Sequence, residues 1–258
     1  MEVISSSKHS LLKICLARIF ACWALIVFII TLLPVALLMW ITGRLKEPGK
    51  TMVFQKISKT WMNVFFFFSG CSLKVKGKEF FKKGKTYIVT CNHNSLMDVP
   101  LSTPFIPGPN KTIAKVEMAR IPLFGMIYKR GSVLVDRKDK NSRKNSFKAM
   151  KSVLSNSMHM CIYPEGTRNK TGLPLKDFYD GAFKLAIETG KPIIPALMFN
   201  TKKVFPSDKG FYFWPSAMEI HFLPEVNIEQ ADSLEILKHR VFEIMETYYK
   251  SQIEQEDD

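Results

Sequence analysis

His93 and Asp98, five residues apart in "CNHNSLMD" (91–98), set an imidazole near a carboxylate just past an apolar stretch, "KTYIVT". If the carboxylate accepts a hydrogen bond from one ring nitrogen, the other nitrogen keeps its lone pair. The imidazole is then a base with its tautomer fixed. On one continuous helix the two residues would lie roughly 140° apart around the axis, too far to meet. They meet where His93 sits in a loop and Asp98 begins the next helix. Asp is a favoured N-cap, and Pro100 fits a first turn. A capping aspartate beside an unconnected loop histidine is the other reading, and the residue types leave both open. Ser95 is a rival nucleophile. No G-x-S-x-G turn surrounds it and it is poorly placed to reach His93, so its hydroxyl is expected to stabilise the turn.

A second polar cluster, "CIYPEGTRNKTG" (161–172), also follows an apolar stretch. Gly166 has no Cβ, so backbone N–H groups there can approach a ligand closely. Arg168 offers a planar fork suited to a phosphate. Without a ligand, P-E-G-T is an ordinary turn. Lys115 in "AKVEMARIPLFG" and Arg137 in "GSVLVDR" add two cations, each of which could equally be a solvated surface charge. "KPIIPALMF" (191–199) brings Pro192 and Pro195 to a further buried stretch.

These clusters have to be held by elements. From Cys71 onward the chain alternates short strands with helices. Strands are expected at 72–77, 86–91, 111–116, 132–137, 159–163, 193–199 and 218–223. Helices are expected at 123–129, 142–155 and 180–189, with a closing helix from about Asp232 and Ser233. The tail after Tyr249 should fray. Such alternation predicts an α/β sandwich, with helices covering a largely parallel sheet. All the polar clusters then fall at or near strand carboxyl ends, where open α/β sheets build their sites.

The chain begins differently. Ile19 to Thr42 carries no charged residue, and as a helix of about 36 Å it would cross a hydrocarbon core of ~30 Å. It is too long for a cleavable signal peptide, and no A-x-A site follows. Pro34 inside it gives either one bent spanning helix or two short ones that dip and return. Phe54 to Gly70 carries lysines, Trp61 and four consecutive phenylalanines, a composition suited to a helix lying in the membrane interface. Lysines and arginines flank both ends of the first run, so loop charge sets no orientation.

The net charge is +14, from 37 Lys and Arg against 23 Asp and Glu, which favours an anionic partner such as phospholipid, a phosphorylated substrate or nucleic acid. No recognition-helix or base-stacking motif supports nucleic acid. Five widely spaced cysteines without a C-x-x-C pair suggest neither zinc nor a disulfide framework, and fit a reducing compartment.

Four ordered blocks carry a resemblance. "NHNSLMD", "GSVLVDR", "YPEGTRN" and "KPIIPA" match, in order, the N-H-x-S-x-x-D, Arg-ending, F/Y-P-E-G-T-R and proline-flanked blocks of the glycerolipid acyltransferases. The chain resembles most closely the lysophosphatidic acid acyltransferases (1-acylglycerol-3-phosphate acyltransferases). Residues 1–70, which agree with the family only in being apolar, are expected from their composition to be a membrane-anchoring helical segment, and the resemblance implies an acyltransferase domain at 71–258. His93 and Asp98 would be catalytic, His93 deprotonating the sn-2 hydroxyl of lysophosphatidic acid for attack on a thioester of coenzyme A or acyl carrier protein. Lys115, Arg137, Glu165, Gly166, Thr167 and Arg168 would bind substrate. Glu165 and Arg168 would position the glycerol phosphate, and Gly166 is a candidate backbone donor to the tetrahedral intermediate. No metal and no bound cofactor are expected. An anionic membrane surface is the expected partner, with the site on its cytoplasmic face, and no nucleic acid. An acyltransferase or transacylase acting on another lysophospholipid or lipid acceptor is the alternative. One departure stands out: after Asp98 the prolines at 100, 104, 107 and 109 replace an apolar helix, leaving open how firmly Asp98 is held.

Overall fold

All of the charge-free run but its last residue, Thr42, lies within a single helix, α1 (Glu2–Ile41), which continues through Pro34. The computed structural model describes residues 2–229 and 233–257. After a short turn, α2 (Gly49–Phe68) packs back along α1. Ala17, Ala21, Ala24, Val27, Leu32, Val35 and Met39 recur at helical spacing on the buried face of α1. Small residues in the first half of that stripe let the two helices approach closely. Trp61, expected as an interfacial anchor, is instead buried, because its indole N–H donates to Thr31 Oγ1 of α1 at 2.9 Å. The phenylalanine run divides as helix geometry requires. Phe65 and Phe66 face inward, while Phe67 and Phe68 are 78% and 53% exposed. The outer face of α1 also stays apolar, with Ile19, Ile30 and Trp40 all exposed. Leu11–Arg44 is long and apolar enough to cross a membrane, the one such span among the described residues.

Seven strands form one sheet: β1 (Ser72–Lys76), β2 (Ile88–Cys91), β3 (Asn110–Lys115), β4 (Ser132–Val135), β5 (His159–Ile162), β6 (Ile193–Phe199) and β7 (Ala217–Phe222). Their order is β1-β7-β6-β2-β5-β3-β4. The five strands from β6 to β4 are parallel. β7 runs antiparallel to β6, and β1 pairs parallel with β7. The sheet is therefore largely parallel, as the alternation predicts. The carboxyl ends of β2, β5, β3 and β4, which precede the four polar clusters, share one edge.

The remaining helices are α3 (Asp98–Ser102), α4 (Phe124–Gly131), α5 (Lys140–Ser155), α6 (Gly181–Thr189), α7 (Thr201–Val204) and α8 (Leu234–Asp257). Strand periodicity sorts them into two layers. Tyr87, Val89 and Cys91, with Ile194, Ala196 and Met198, face a core shared with α1, α2 and α4. Ile88, Ile193, Leu197 and Phe199 face the opposite core, built by α5, α6 and α8. α3 stops after five residues, since Pro104 has no N–H to extend the ladder. For the closing helix, Ser233 Oγ accepts the Ile236 N–H at 3.3 Å. Asp232, the other expected start residue, lies outside the described residues. The tail expected to fray is helical to Asp257.

Candidate active site

β2 ends at Cys91, and the chain then loops through Asn92 to Ser95 before α3. Asn92 is fully buried and fixes the loop to the neighbouring strand. Its side chain accepts the Met198 N–H at 2.7 Å and donates to the Met198 carbonyl at 3.0 Å. Asn92 is not among the residues expected above, and the signal that marks it is an asparagine directly after a buried strand.

His93 Nδ1 lies 2.8 Å from Asp98 Oδ2. The same oxygen accepts the backbone N–H groups of Asn94 at 2.6 Å and Ser95 at 2.7 Å. Asp98 is fully enclosed, whereas the His93 side chain keeps 19% exposure. A carboxylate oxygen only accepts, so Nδ1 carries the hydrogen and Nε2 keeps its lone pair. Asp98 was expected as the N-cap of the next helix. Met97 occupies that position, and Asp98 is the first helical residue, its carboxylate reaching back across the loop. Pulling three donors onto one oxygen closes the loop around the histidine, which holds Asp98 firmly despite the short helix. Ser95 has the structural role expected of it. Its hydroxyl donates to the Phe205 carbonyl at 2.6 Å and accepts the Met97 N–H at 3.0 Å.

Three further contacts immobilise His93. Its N–H donates to Glu165 Oε1 at 2.7 Å, and its carbonyl accepts the Asn169 N–H at 2.6 Å. The ring lies against Tyr163, with centroids 4.5 Å apart. The Tyr163 hydroxyl is in turn 2.6 Å from Ser102 Oγ at the end of α3. The loop after β5 thus grips the loop after β2 through its backbone and an aromatic face. Tyr163, Ser102 and Asn169 were not singled out from sequence, because nothing local marks a residue that acts through a neighbouring strand.

Glu165 departs from the role the resemblance implies. Its carboxylate is fully enclosed, and its second oxygen accepts the Lys176 N–H at 3.0 Å. In this arrangement Glu165 braces two stretches of backbone. Burial pushes its carboxyl up to about 7, against the opposing pull of the His93 and Lys176 N–H groups.

Gly166 adopts a left-handed φ of 69°. Its N–H is spent on the Tyr163 carbonyl at 3.0 Å. It is therefore not a free donor for an oxyanion, contrary to expectation. Its carbonyl accepts from the Arg137 guanidinium, which brings the second and third blocks together. Thr167 is exposed, and its hydroxyl lies 2.7 Å from Lys176 Nζ. Arg168, half-buried, has no hydrogen bond or ion pair among the described residues, so its fork is available. Lys115, exposed at the end of β3, pairs in register with Val135, two residues before Arg137. No cluster of three or more His, Cys, Asp or Glu that could hold a metal occurs among the described residues.

The acyltransferase family profile matches residues 72–199. The chain is 36% identical over 134 residues to a 1-acyl-sn-glycerol-3-phosphate acyltransferase of Cocos nucifera, covering 51% of this chain and 42% of that protein. Over 151 residues it is 34% identical to the enzyme of the same name from Helicobacter pylori, covering 58% of this chain and 62% of the relative. The chain thus spans less than two thirds of either protein. The crystal structure of the 1-acyl-sn-glycerophosphate acyltransferase PlsC from Thermotoga maritima shares the fold. Its TM-score is 0.77 at 21% identity, over 93% of this chain and 96% of that one.

Proposed function

We propose that this chain, whose residues 72–199 match the acyltransferase family profile, acylates the sn-2 hydroxyl of 1-acylglycerol-3-phosphate, forming phosphatidic acid. The observation that carries this reading is the enclosed Asp98 carboxylate 2.8 Å from His93 Nδ1, which leaves Nε2 as the base. Nε2 takes the hydroxyl proton as the alkoxide oxygen attacks the thioester carbonyl. The C–O bond forms, the tetrahedral intermediate collapses with cleavage of the C–S bond, and the proton passes to the departing thiolate. General-base action of this kind contributes roughly 10²–10⁴-fold. The donor is an acyl thioester of coenzyme A or acyl carrier protein, and no resident cofactor takes part.

Arg168 is the phosphate ligand in this reading, on the strength of its uncommitted guanidinium. Lys115 and Arg137 add positive charge along the same sheet edge, and Gly166 and Thr167 shape the loop between them. Residues 1–70 serve as the membrane-anchoring segment and 71–258 as the acyltransferase domain. The apolar outer face of α1 supports membrane attachment. Lys13, Arg18, Lys56 and Lys59 on α1 and α2 would meet anionic lipid headgroups on the cytoplasmic face.

His93→Ala tests the base. Transfer to lysophosphatidic acid, read by mass spectrometry, should fall by about 10³-fold or more, while membrane partition stays at the wild-type level. Full activity in that variant would refute the assignment.

A further inference from the structure

α5 contains no acidic residue from Lys140 to Ser155. Lys140, Lys144 and Lys148 recur every four residues and so form one stripe, about 12 Å from first to last. All three are exposed, as is Arg143. None of these four forms an ion pair among the described residues, whereas the next lysine, Lys151, is held by Glu188. The unneutralised charge is therefore confined to the half of the helix that starts three residues after Arg137, beside the candidate site. Two acids lie at that end, and their backbone hydrogen bonds leave their charge in place, but against Arg137, Lys138, Lys140, Arg143, Lys144 and Lys148 the stretch 136–148 still carries a net +4. Asp139 caps the helix through the Asn141 and Ser142 N–H groups, and Asp136 accepts the Lys138 N–H. Like charges at this spacing disfavour the helix.

The position of the stripe selects its partner. α5 belongs to the layer shared with α6 and α8, across the sheet from α1 and α2. Lipid headgroups met by the helical hairpin lie on the other side of the molecule. A soluble anionic partner can reach α5. Resting on the acyl-transfer reading, which requires a thioester delivered to His93, we propose that the α5 stripe docks an acidic carrier protein bearing the acyl chain. Docking at this end leaves the thioester arm a short path past Arg137 to the site. Complementary charge of this kind raises the association rate and makes it salt-sensitive.

The test uses the full chain in detergent with lysophosphatidic acid as acceptor, and compares palmitoyl-acyl carrier protein with palmitoyl-CoA. The variant K140E/K144E/K148E should raise the KM for the carrier-borne donor by about tenfold or more and leave the KM for palmitoyl-CoA unchanged. The neutral variant K140Q/K144Q/K148Q should show a smaller rise in the same direction. With the wild type, rising NaCl should lower kcat/KM for the carrier-borne donor more steeply than for palmitoyl-CoA. This arm needs no variant to fold. A flat salt response, no use of the carrier-borne donor, or equal losses with both donors would overturn the docking role. So would weaker binding of the charge-reversed variant to phosphatidylglycerol vesicles with an unchanged carrier KM, which would make lipid the occupant. Failure of the wild type to transfer from either donor would instead overturn the acyltransferase reading itself.

Discussion

Glu165 and Arg168 sit three residues apart in one loop, yet their surroundings assign them opposite work. The Glu165 carboxylate is sealed between the His93 and Lys176 N–H groups at 2.7 and 3.0 Å. Arg168 has no partner among the described residues. Glu165→Gln replaces one acceptor oxygen with an NH₂ that faces a backbone N–H, leaving a buried donor unpaired. Because the loss loosens the loop that carries His93, kcat should fall by roughly tenfold or more, with the acceptor KM nearly constant. Arg168→Ala should do the reverse, raising the acceptor KM well above any change in the thioester KM. Steady-state kinetics with both substrates varied separates the two outcomes. A raised acceptor KM in the Glu165 variant would return that residue to direct phosphate binding, the role the resemblance implies.

At the scale of elements, the loop after β5 depends on one backbone conformation. Gly166 holds a φ of 69°, and a Cβ there would lie 2.8 Å from the Tyr179 ring. Gly166→Ala therefore adds left-handed strain to a steric clash, together costing about 1–3 kcal/mol locally. The expected outcome is a shifted loop, a lost Arg137 contact and a marked fall in kcat. Circular dichroism should stay close to wild type, since the sheet is not involved. Wild-type turnover in this variant would show that the loop tolerates other conformations. Much of this element scale was legible beforehand. Strand positions, helix positions and the collection of polar clusters at strand carboxyl ends all follow from periodicity and punctuation. The inward turn of Trp61 was not legible. An amphipathic helix rich in aromatics suits a membrane interface and a helix partner equally, and only the presence of Thr31 opposite decides. The exhausted Gly166 N–H was hidden for a similar reason, since its acceptor is set by how the turn closes.

For the whole molecule, two buried groups tie stability to pH with opposite signs. His159 is nearly enclosed, its Nδ1 accepting the Tyr87 N–H at 3.0 Å. Burial pushes its imidazole down to about 4, so the folded state favours the neutral ring. Its contribution is complete above the free value of 6.5 and is lost as pH falls towards 4. Glu165, raised from 4.5 to about 7, favours the protonated form in the fold. Its contribution is complete below 4.5 and is lost as pH rises through 7. Each effect has an upper size of roughly 3 kcal/mol, and between about pH 4.5 and 6.5 the two nearly cancel. His159→Phe removes one of them. Denaturation midpoints of that variant in detergent should then rise as pH falls from 7 to 4.5, while the wild type changes little. A variant profile parallel to that of the wild type would remove the argument.

The sequence alone determined the alternation of strands and helices and the long apolar start, and put His93 and Asp98 forward as candidates for a pair. Each of these is written in local periodicity or in residue type. Tertiary structure decided how the pair is held. Three donors converge on one oxygen of Asp98, Glu165 braces His93 from a neighbouring strand, and Tyr163 covers the ring. It also decided that the basic stripe of α5 lies across the sheet from the apolar hairpin. The physical reason is common to all of them: hydrogen-bond partners and layer assignment are fixed by strand order, and strand order joins residues about 70 positions apart that no local pattern links.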